Sequence, residues 1–255
     1  MKKKAWLLPL LALSLAAISC MCPVSGLVNL RGEGRVVEAS DTVITETREA
    51  SGFDTVEMNA FGRVILEQGE TESLTVSGPD NIIPLVKTTV RAGVLDIELK
   101  ENIVLADPQP DDVLTFTIGF QELSELTVSG LADVEMDGLE AGRFDLRMSG
   151  AGRIDLRGLA LEDLDLDLSG AGEVILAGSA AYANIDLSGA GDIKAGDLEI
   201  ETARVRLSGL GNATLWVTER LSGEITGVGN VEYYGDPSTD LRTPGLGHFK
   251  PLGAK

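Results

Sequence analysis

Residues 145–176 read DLRMSGAGRIDLRGLALEDLDLDLSGAGEVIL, and the two SGAG steps at Ser149 and Ser169 decide how the chain is organised. The step recurs six times: SGLAD from Ser129, SGAGR from Ser149, SGAGE from Ser169, SGAGD from Ser188, SGLGN from Ser208 and TGVGN from Thr226. Successive starts are 20, 20, 19, 20 and 18 residues apart. A period of this length suits a solenoid in which each coil buries its apolar face against the next.

Aligning the copies on their first residue tests that reading. One residue earlier stand Val128, Met148, Leu168, Leu187, Leu207 and Ile225, and three earlier stand Leu126, Leu146, Leu166, Ile185 and Val205, with Gly223 as the exception. Five residues later come Val134, Ile154, Val174, Ile193, Ala213 and Val231, and seven later Met136, Leu156, Leu176, Ala195, Leu215 and Tyr233. Apolar residues at odd offsets with polar ones between them have the period of a strand, so each coil is expected to carry two short strands flanking the glycine step. Stretches such as LALED from Leu159 supply a third side. Glycine at the step answers a sharp turn, or a close approach of coils, that a Cβ would obstruct. The fold class predicted is all-β, a single-chain parallel β-solenoid with coils of about 18–20 residues, and the usual hand of parallel connections favours right-handed winding.

Outward positions follow the same register. Two residues before the copies run Arg147, Asp167, Asp186, Arg206 and Glu224; three of the four adjacent pairs are opposite in charge, which reads as a solvated, partly paired face. A calcium-holding acidic column is disfavoured, because the ligand-rich nonapeptide of calcium-binding β-rolls is missing. Eight residues after the copies stand Arg157, Ala177, Gly196, Trp216 and Tyr234. Trp216 and Tyr234 should therefore stack side by side on the outer face. They form a candidate ligand-binding face, since paired aromatics can lie against sugar rings, although covering the last coil or packing under the Pro237 loop is the preferred role.

The chain has 255 residues, 44% of them hydrophobic and only 4% aromatic, which suits one narrow core filled by Leu, Val and Ile. Its formal charge is −19, a balance that repels phosphates and argues against nucleic-acid partners. Lys2, Lys3 and Lys4 precede an apolar run from Ala5 to Ala17, shorter than a membrane span requires, and Ser19 stands directly before Cys20. Residues 1–19 are read as a lipoprotein signal peptide, and Cys20 as the lipidated residue that would attach the protein to a membrane. Ala17 occupies the position where leucine is usual in such a signal. Residues 20–50 form a lipidated tether and first strand. A Cys20–Cys22 disulfide would be strained, and no cysteine follows Cys22.

Residues 51–252 are assigned to the solenoid, with 51–122 as N-terminal capping coils and 123–252 as the glycine-step repeats. Within the cap, strands are expected at Val56–Met58, Val64–Leu66, Leu74–Val76, Leu95–Leu99 and Leu114–Ile118, separated by turn signals such as Ala92-Gly93. Asp80 is a candidate cap for a helical turn over Ile82 and Ile83, and Asn102–Asp112 is read as an exposed loop. Gly245-Leu246-Gly247-His248 is a seventh, degraded copy.

Gly52-Phe53-Asp54 before a strand, VILEQG at 64–69, Leu74–Val76, VLDI at 94–97 and the serial SGAG and GxGN steps resemble the autotransporter-adhesin head GIN domain family. The resemblance extends over roughly residues 35–252, with Ala132 replacing the second glycine in the first copy. It implies one β-helical domain at the bacterial cell envelope, often lipid-anchored, and it carries over no catalytic residue.

The chain is a poor candidate for an enzyme. Its one histidine, His248, lies in the terminal copy, no serine sits in a G-x-S-x-G elbow, and no GKS or GKT follows the glycine steps. No catalytic residue, metal ligand or cofactor is assigned. A polysaccharide lyase or hydrolase would use Asp167 and Asp186 near Arg147 and Arg206, and a self-assembling envelope element is a third reading. The favoured one is a non-catalytic, extracytoplasmic surface module that binds glycan or protein.

Overall fold

The computed structural model describes residues 35–100, 103–105 and 114–255. Four long strands, β11 (Leu131–Met148), β12 (Ala151–Leu168), β13 (Ala171–Leu187) and β14 (Ala190–Leu207), each make a full coil and pair in parallel with the next. The alternation predicted from sequence is present, yet the coil is one strand bent round its corners rather than separate short ones. In β12, Ile154 and Leu156 point inward from one side, Leu159 and Leu161 from a second, and Leu164, Leu166 and Leu168 from a third. All four aligned apolar columns are buried, from Val128 through Ile225 and from Met136 through Tyr233.

Each of these coils breaks at the Ser-Gly step. There two consecutive N–H groups donate to one carbonyl of the preceding coil: Ser149 and Gly150 to Val128 at 3.0 and 3.1 Å, Ser169 and Gly170 to Met148 at 2.9 Å each, and Ser188 and Gly189 to Leu168 at 3.0 Å each. A methyl group on Gly150, Gly170, Gly189 or Gly209 would be driven into the carbonyl oxygen of the glycine one coil before. Close approach of backbone to backbone is thus what demands glycine. In the seventh copy Pro244 replaces the small polar residue, and only the Gly245 N–H remains to donate, to Ile225 at 2.8 Å. β18 (Leu246–Gly253) nevertheless keeps the register, pairing Gly247 with Gly229 and His248 with Asn230 of β16 (Val228–Tyr234).

The polar residue that ends each step also has a structural cause. Asp192 Oδ1 accepts the Asn212 backbone N–H at 2.9 Å, and Asn212 Oδ1 accepts that of Asn230 at 3.1 Å. Asp133 does the same for Arg153 at 2.8 Å.

Differences in coil length are absorbed away from the step. Register shifts fall between Leu156 and Leu159, between Ile175 and Ala177, and between Ala195 and Glu199. The last is the largest, because β14 has three residues, Gly196, Asp197 and Leu198, opposite no residue of β15 (Ala213–Ile225). Gly223, the exception in its apolar column, leaves room that Phe249 of β18 enters; a Cβ there would lie 2.6 Å from Phe249 Cζ and 3.0 Å from Val205 Cγ1.

At the N-terminal end, β3 (Thr55–Asn59) and β4 (Phe61–Gln68) form a coil stacked on β10 (Glu125–Val128) and β11. On their other side lie β7 (Val94–Leu99) and β9 (Thr115–Phe120), later in sequence. The cap is closed by antiparallel strands: β6 (Val86–Arg91) on β7 through the Ala92-Gly93 turn, and β5 (Ser73–Pro79) between β9 and β2 (Val43–Arg48). Ala92 and Gly93 have φ of 50° and 86°, the left-handed pair that a two-residue hairpin uses. Phe53, Phe61, Phe116 and Phe120 are buried here, so the cap holds most of the buried aromatic rings.

Two expectations need correction. The helical turn forms at Ile83–Leu85, but it has no side-chain cap; Asp80 instead accepts the Ser40 hydroxyl at 2.5 Å. Within the supposed loop, β8 (Ile103–Leu105) pairs in parallel with β1 (Arg35–Val37), because a short apolar run can add to an open strand as readily as it can stay in solvent; the rest of that stretch lies outside the described residues.

Gly170→Ala is expected to lower unfolding free energy by at least ~2 kcal/mol, as backbone must move to admit the methyl. Gly142→Ala, whose nearest neighbour would be Glu162 Oε2 at 3.9 Å, should stay within about 0.5 kcal/mol, both read by denaturant titration. Gly223→Val and Phe249→Ala should each destabilise alone, and their double variant should be more stable than the sum of the two by roughly 1 kcal/mol or more.

Candidate functional site

The flank just before the Ser-Gly step carries two outward columns. One runs Glu125, Asp145, Asp165, Asn184, Arg204 and Ser222; the other runs Thr127, Arg147, Asp167, Asp186, Arg206 and Glu224, continuing to Arg242 of β17 (Ser238–Arg242). Strands about 4.8 Å apart bring like positions within reach. Arg206 pairs with Asp186 at 3.2 Å as the register suggests. Arg147 turns the other way, to Glu125 and to Asp145 at 3.5 Å, while Arg143 joins Asp145 at 3.0 Å to Asp165 at 3.1 Å. Register sets Asp167 and Asp186 side by side, with the arginine predicted beside Asp167 drawn to Glu125 on the coil before it and to Asp145 on its own. A groove of about 290 Å³ on this flank is lined by Arg204, Arg206, Glu224, Asp240 and Arg242.

On the flank after the step, Asp155 is the centre of a network. Its oxygens accept from Arg157 Nε and Nη2 at 2.9 and 3.0 Å and from Arg153 Nη2 at 3.4 Å. Arg153 continues to Glu173 at 3.1 Å, and Glu173 pairs with Lys194, so the network joins three coils. Burial pushes the Asp155 carboxyl upward, but the hydrogen bonds and charges of Arg157 and Arg153 outweigh it and hold the group below the usual aspartate range.

Further along the same flank, Trp216 and Tyr234 are paired in register on β15 and β16, side by side as the eight-residue offset predicted, and both are half-buried. They face the three-residue bulge of β14. Into this corner comes Lys255, whose Nζ lies 5.0 Å from the Trp216 ring centre and 5.6 Å from that of Tyr234. The same ammonium donates to the Gly196 carbonyl and to Asp197 Oδ1, the latter at 2.5 Å. Two ring faces, a carboxylate and a carbonyl thus converge on one cation. Lys255 and Asp197 escaped the sequence reading, which placed Gly196 in the same outward column as the rings and gave it no role. Their signal was the drop in step spacing from 20 to 18 residues after Ser208, which marks where coils cease to match.

His248 is exposed on the final strand beside Asn230. At the corner, Ser149 Oγ donates to Ser129 Oγ at 3.2 Å. Among the described residues no group of three or more His, Cys, Asp or Glu is arranged to hold a metal ion. Cys20 and residues 1–19, expected from sequence to be a signal peptide, lie outside the described residues.

A parallel solenoid with ion-paired flanks, a capped end and one aromatic corner belongs to the coil-stacked class of β-domains. The model of a family described as "Putative auto-transporter adhesin, head GIN domain" matches residues 52–237, and the chain belongs to this family. Among solved structures it is similar to a "putative adhesin" from Bacteroides fragilis, with 26% identity, a TM-score of 0.80 and coverage of 85% of this chain and 100% of that one. It also resembles in fold a "putative lipid binding protein" from Parabacteroides distasonis, at 20% identity and TM-score 0.69 over 86% of this chain and 100% of that one. A "putative adhesin" from Parabacteroides merdae shares the fold at 18% identity and TM-score 0.63, over 85% and 99%. No curated protein matches the chain.

Because the Asp155 carboxyl is held below its unfolded value, its contribution is present at neutral pH and fades as pH falls from about 4 through its lowered native value. Asp155→Asn should cost about 1–2 kcal/mol at pH 7, and the gap between the thermal melts of the two proteins should narrow steadily as pH falls below about 4.

Proposed function

We propose that the protein is a non-catalytic, lipid-anchored surface module of the bacterial cell envelope that binds a glycan or a surface protein in the manner of an adhesin, with the Trp216–Tyr234 corner as its binding face. The observation that carries this reading is the family match across the solenoid, residues 52–237. The likeness to the Bacteroides fragilis protein, whose description names an adhesin, supports it, and so does a pair of half-exposed rings held in register on a rigid flank. Such a platform offers contact area with little conformational entropy to lose.

The N-terminal sequence supports the anchor: a basic start, a short apolar run and Cys20 directly after Ser19. Attachment would rest on the lipid, because a chain of charge −19 is repelled by anionic headgroups. The distribution of chemistry supports the absence of catalysis. His248 sits on the terminal coil, and Asp186, one of the two acids a lyase would use, is bound to Arg206.

The mature protein should be retained on at least one member of a panel of envelope and host polysaccharides and surface proteins, without releasing new sugar ends. Trp216→Ala should reduce that retention roughly 10-fold while lowering the melting temperature by no more than about 5 °C. Release of unsaturated sugar ends, abolished by Asp167→Asn or Asp186→Asn, would instead establish an enzyme.

A further inference from the structure

The binding-face reading gains a specific chemistry from what occupies the corner. A protonated primary amine on an aliphatic stem sits there, its charge over two aromatic faces and its hydrogens directed to a carboxylate and a backbone carbonyl. Ring faces attract cations within about 6 Å of their centres, and a hydrogen bond with both partners charged is stronger than a neutral one. Each component is placed by sheet register and not by the lysine. Trp216 and Tyr234 are aligned by the β15–β16 pairing. Gly196 and Asp197 project because three residues of β14 have no counterpart in β15.

Lys255 itself is held differently. The last paired residue of β18 is Gly253, opposite Tyr234, and Ala254 and Lys255 follow the strand without joining it. Lys255 therefore lies outside the sheet, and its side chain can leave the corner without breaking any strand pairing. Asp197 is 81% exposed on its side chain, whereas that of Lys255 is 29% exposed, so the approach to the carboxylate is open to solvent.

We propose that this corner is an ammonium-binding site whose ligand is a lysine side chain of a partner protein, and that Lys255 is a built-in competitor that occupies it in the free protein. The proposal rests on the reading of Trp216 and Tyr234 as the binding face. Lysine is favoured over an amino sugar because the stem that threads the corner is a lysine's own, and an amino sugar would place a rigid ring where that flexible stem runs. The acidity of the whole chain adds to the attraction for a cationic segment. A tethered competitor lowers apparent affinity in proportion to the time it occupies the site.

The test uses the mature protein, its Lys255→Ala variant, and Lys255→Ala combined with Asp197→Asn or with Trp216→Phe. Nα-acetyl-lysine methylamide, glucosamine and N-acetylglucosamine are titrated separately while calorimetric heat is followed for every protein and indole fluorescence for those that keep Trp216. Lys255→Ala should bind the lysine mimic saturably and about 10-fold more tightly than the unaltered protein. Asp197→Asn should weaken that binding at least about 5-fold, and N-acetylglucosamine should not bind. No binding of the lysine mimic to Lys255→Ala, or binding that neither second substitution changes, would overturn the proposal. Tighter binding of glucosamine than of the lysine mimic would overturn the assignment to a protein partner.

The same proteins separate this inference from the broader one. Retention on neutral glycans that depends on Trp216, with no amine binding, would sink the ammonium site and leave the binding face standing. Amine binding by Lys255→Ala, with no retention of the mature protein on any surface component, would support the site and count against the adhesin-like role.

Discussion

The contact on which the solenoid depends is the one at the Ser-Gly step, where one coil's glycine lies against the carbonyl oxygen of the glycine before it, in the space a Cβ would need. Two successive N–H groups reach a single carbonyl there, which turns the chain through a tight corner without leaving either donor unsatisfied. Any Cβ would push neighbouring coils beyond strand-pairing distance. Because the same contact recurs coil after coil, the step acts as a fixed axis, and the apolar columns on either side fall into register as a consequence.

A fixed axis at one corner moves irregularity to another. Coils of unequal length stay aligned at the step, so surplus residues emerge on β12 between Leu156 and Leu159, on β14 between Lys194 and Asp197 where it faces β13, and most of all on β14 between Ala195 and Glu199 where it faces β15. The last bulge faces Trp216 and Tyr234, so the candidate site exists where the repeat is least regular. The pairing of Gly223 with Phe249 has the same origin. A missing side chain in a stacked column is filled by a residue 26 positions further along the chain, brought beneath it by the return of the final strand. Regular stacking supplies rigidity, and departures from it supply features.

Register also explains how so acidic a chain stacks. Like charges would repel at the strand spacing, and the arginines relieve this by bridging rows: Arg143 between Asp145 and Asp165, Arg153 between Asp155 and Glu173. These pairs are mostly exposed and individually weak. Their value lies in letting acidic residues occupy successive outward positions, which keeps the flanks charged and soluble while the interior stays apolar, with no buried charged residue among those described.

The sequence by itself determined the architecture of the repeats, because both the period-two burial of Leu164, Leu166 and Leu168 and the glycine contact are local demands repeated at a constant interval. It also placed Trp216 beside Tyr234, since that adjacency follows from counting along two copies. Tertiary structure decided the cap, where β7 and β9 lie outside β3 and β4 although they come later in the chain, and pairing order between distant strands leaves no periodic mark. It decided the turn of Arg147 toward Glu125, a choice among several acids within reach. Above all it decided the meeting of Lys255 with Gly196 and Asp197, 59 and 58 positions earlier, because a cation finds its partners across stacked coils by proximity in space, and proximity in space at a bulge is not written in any local pattern.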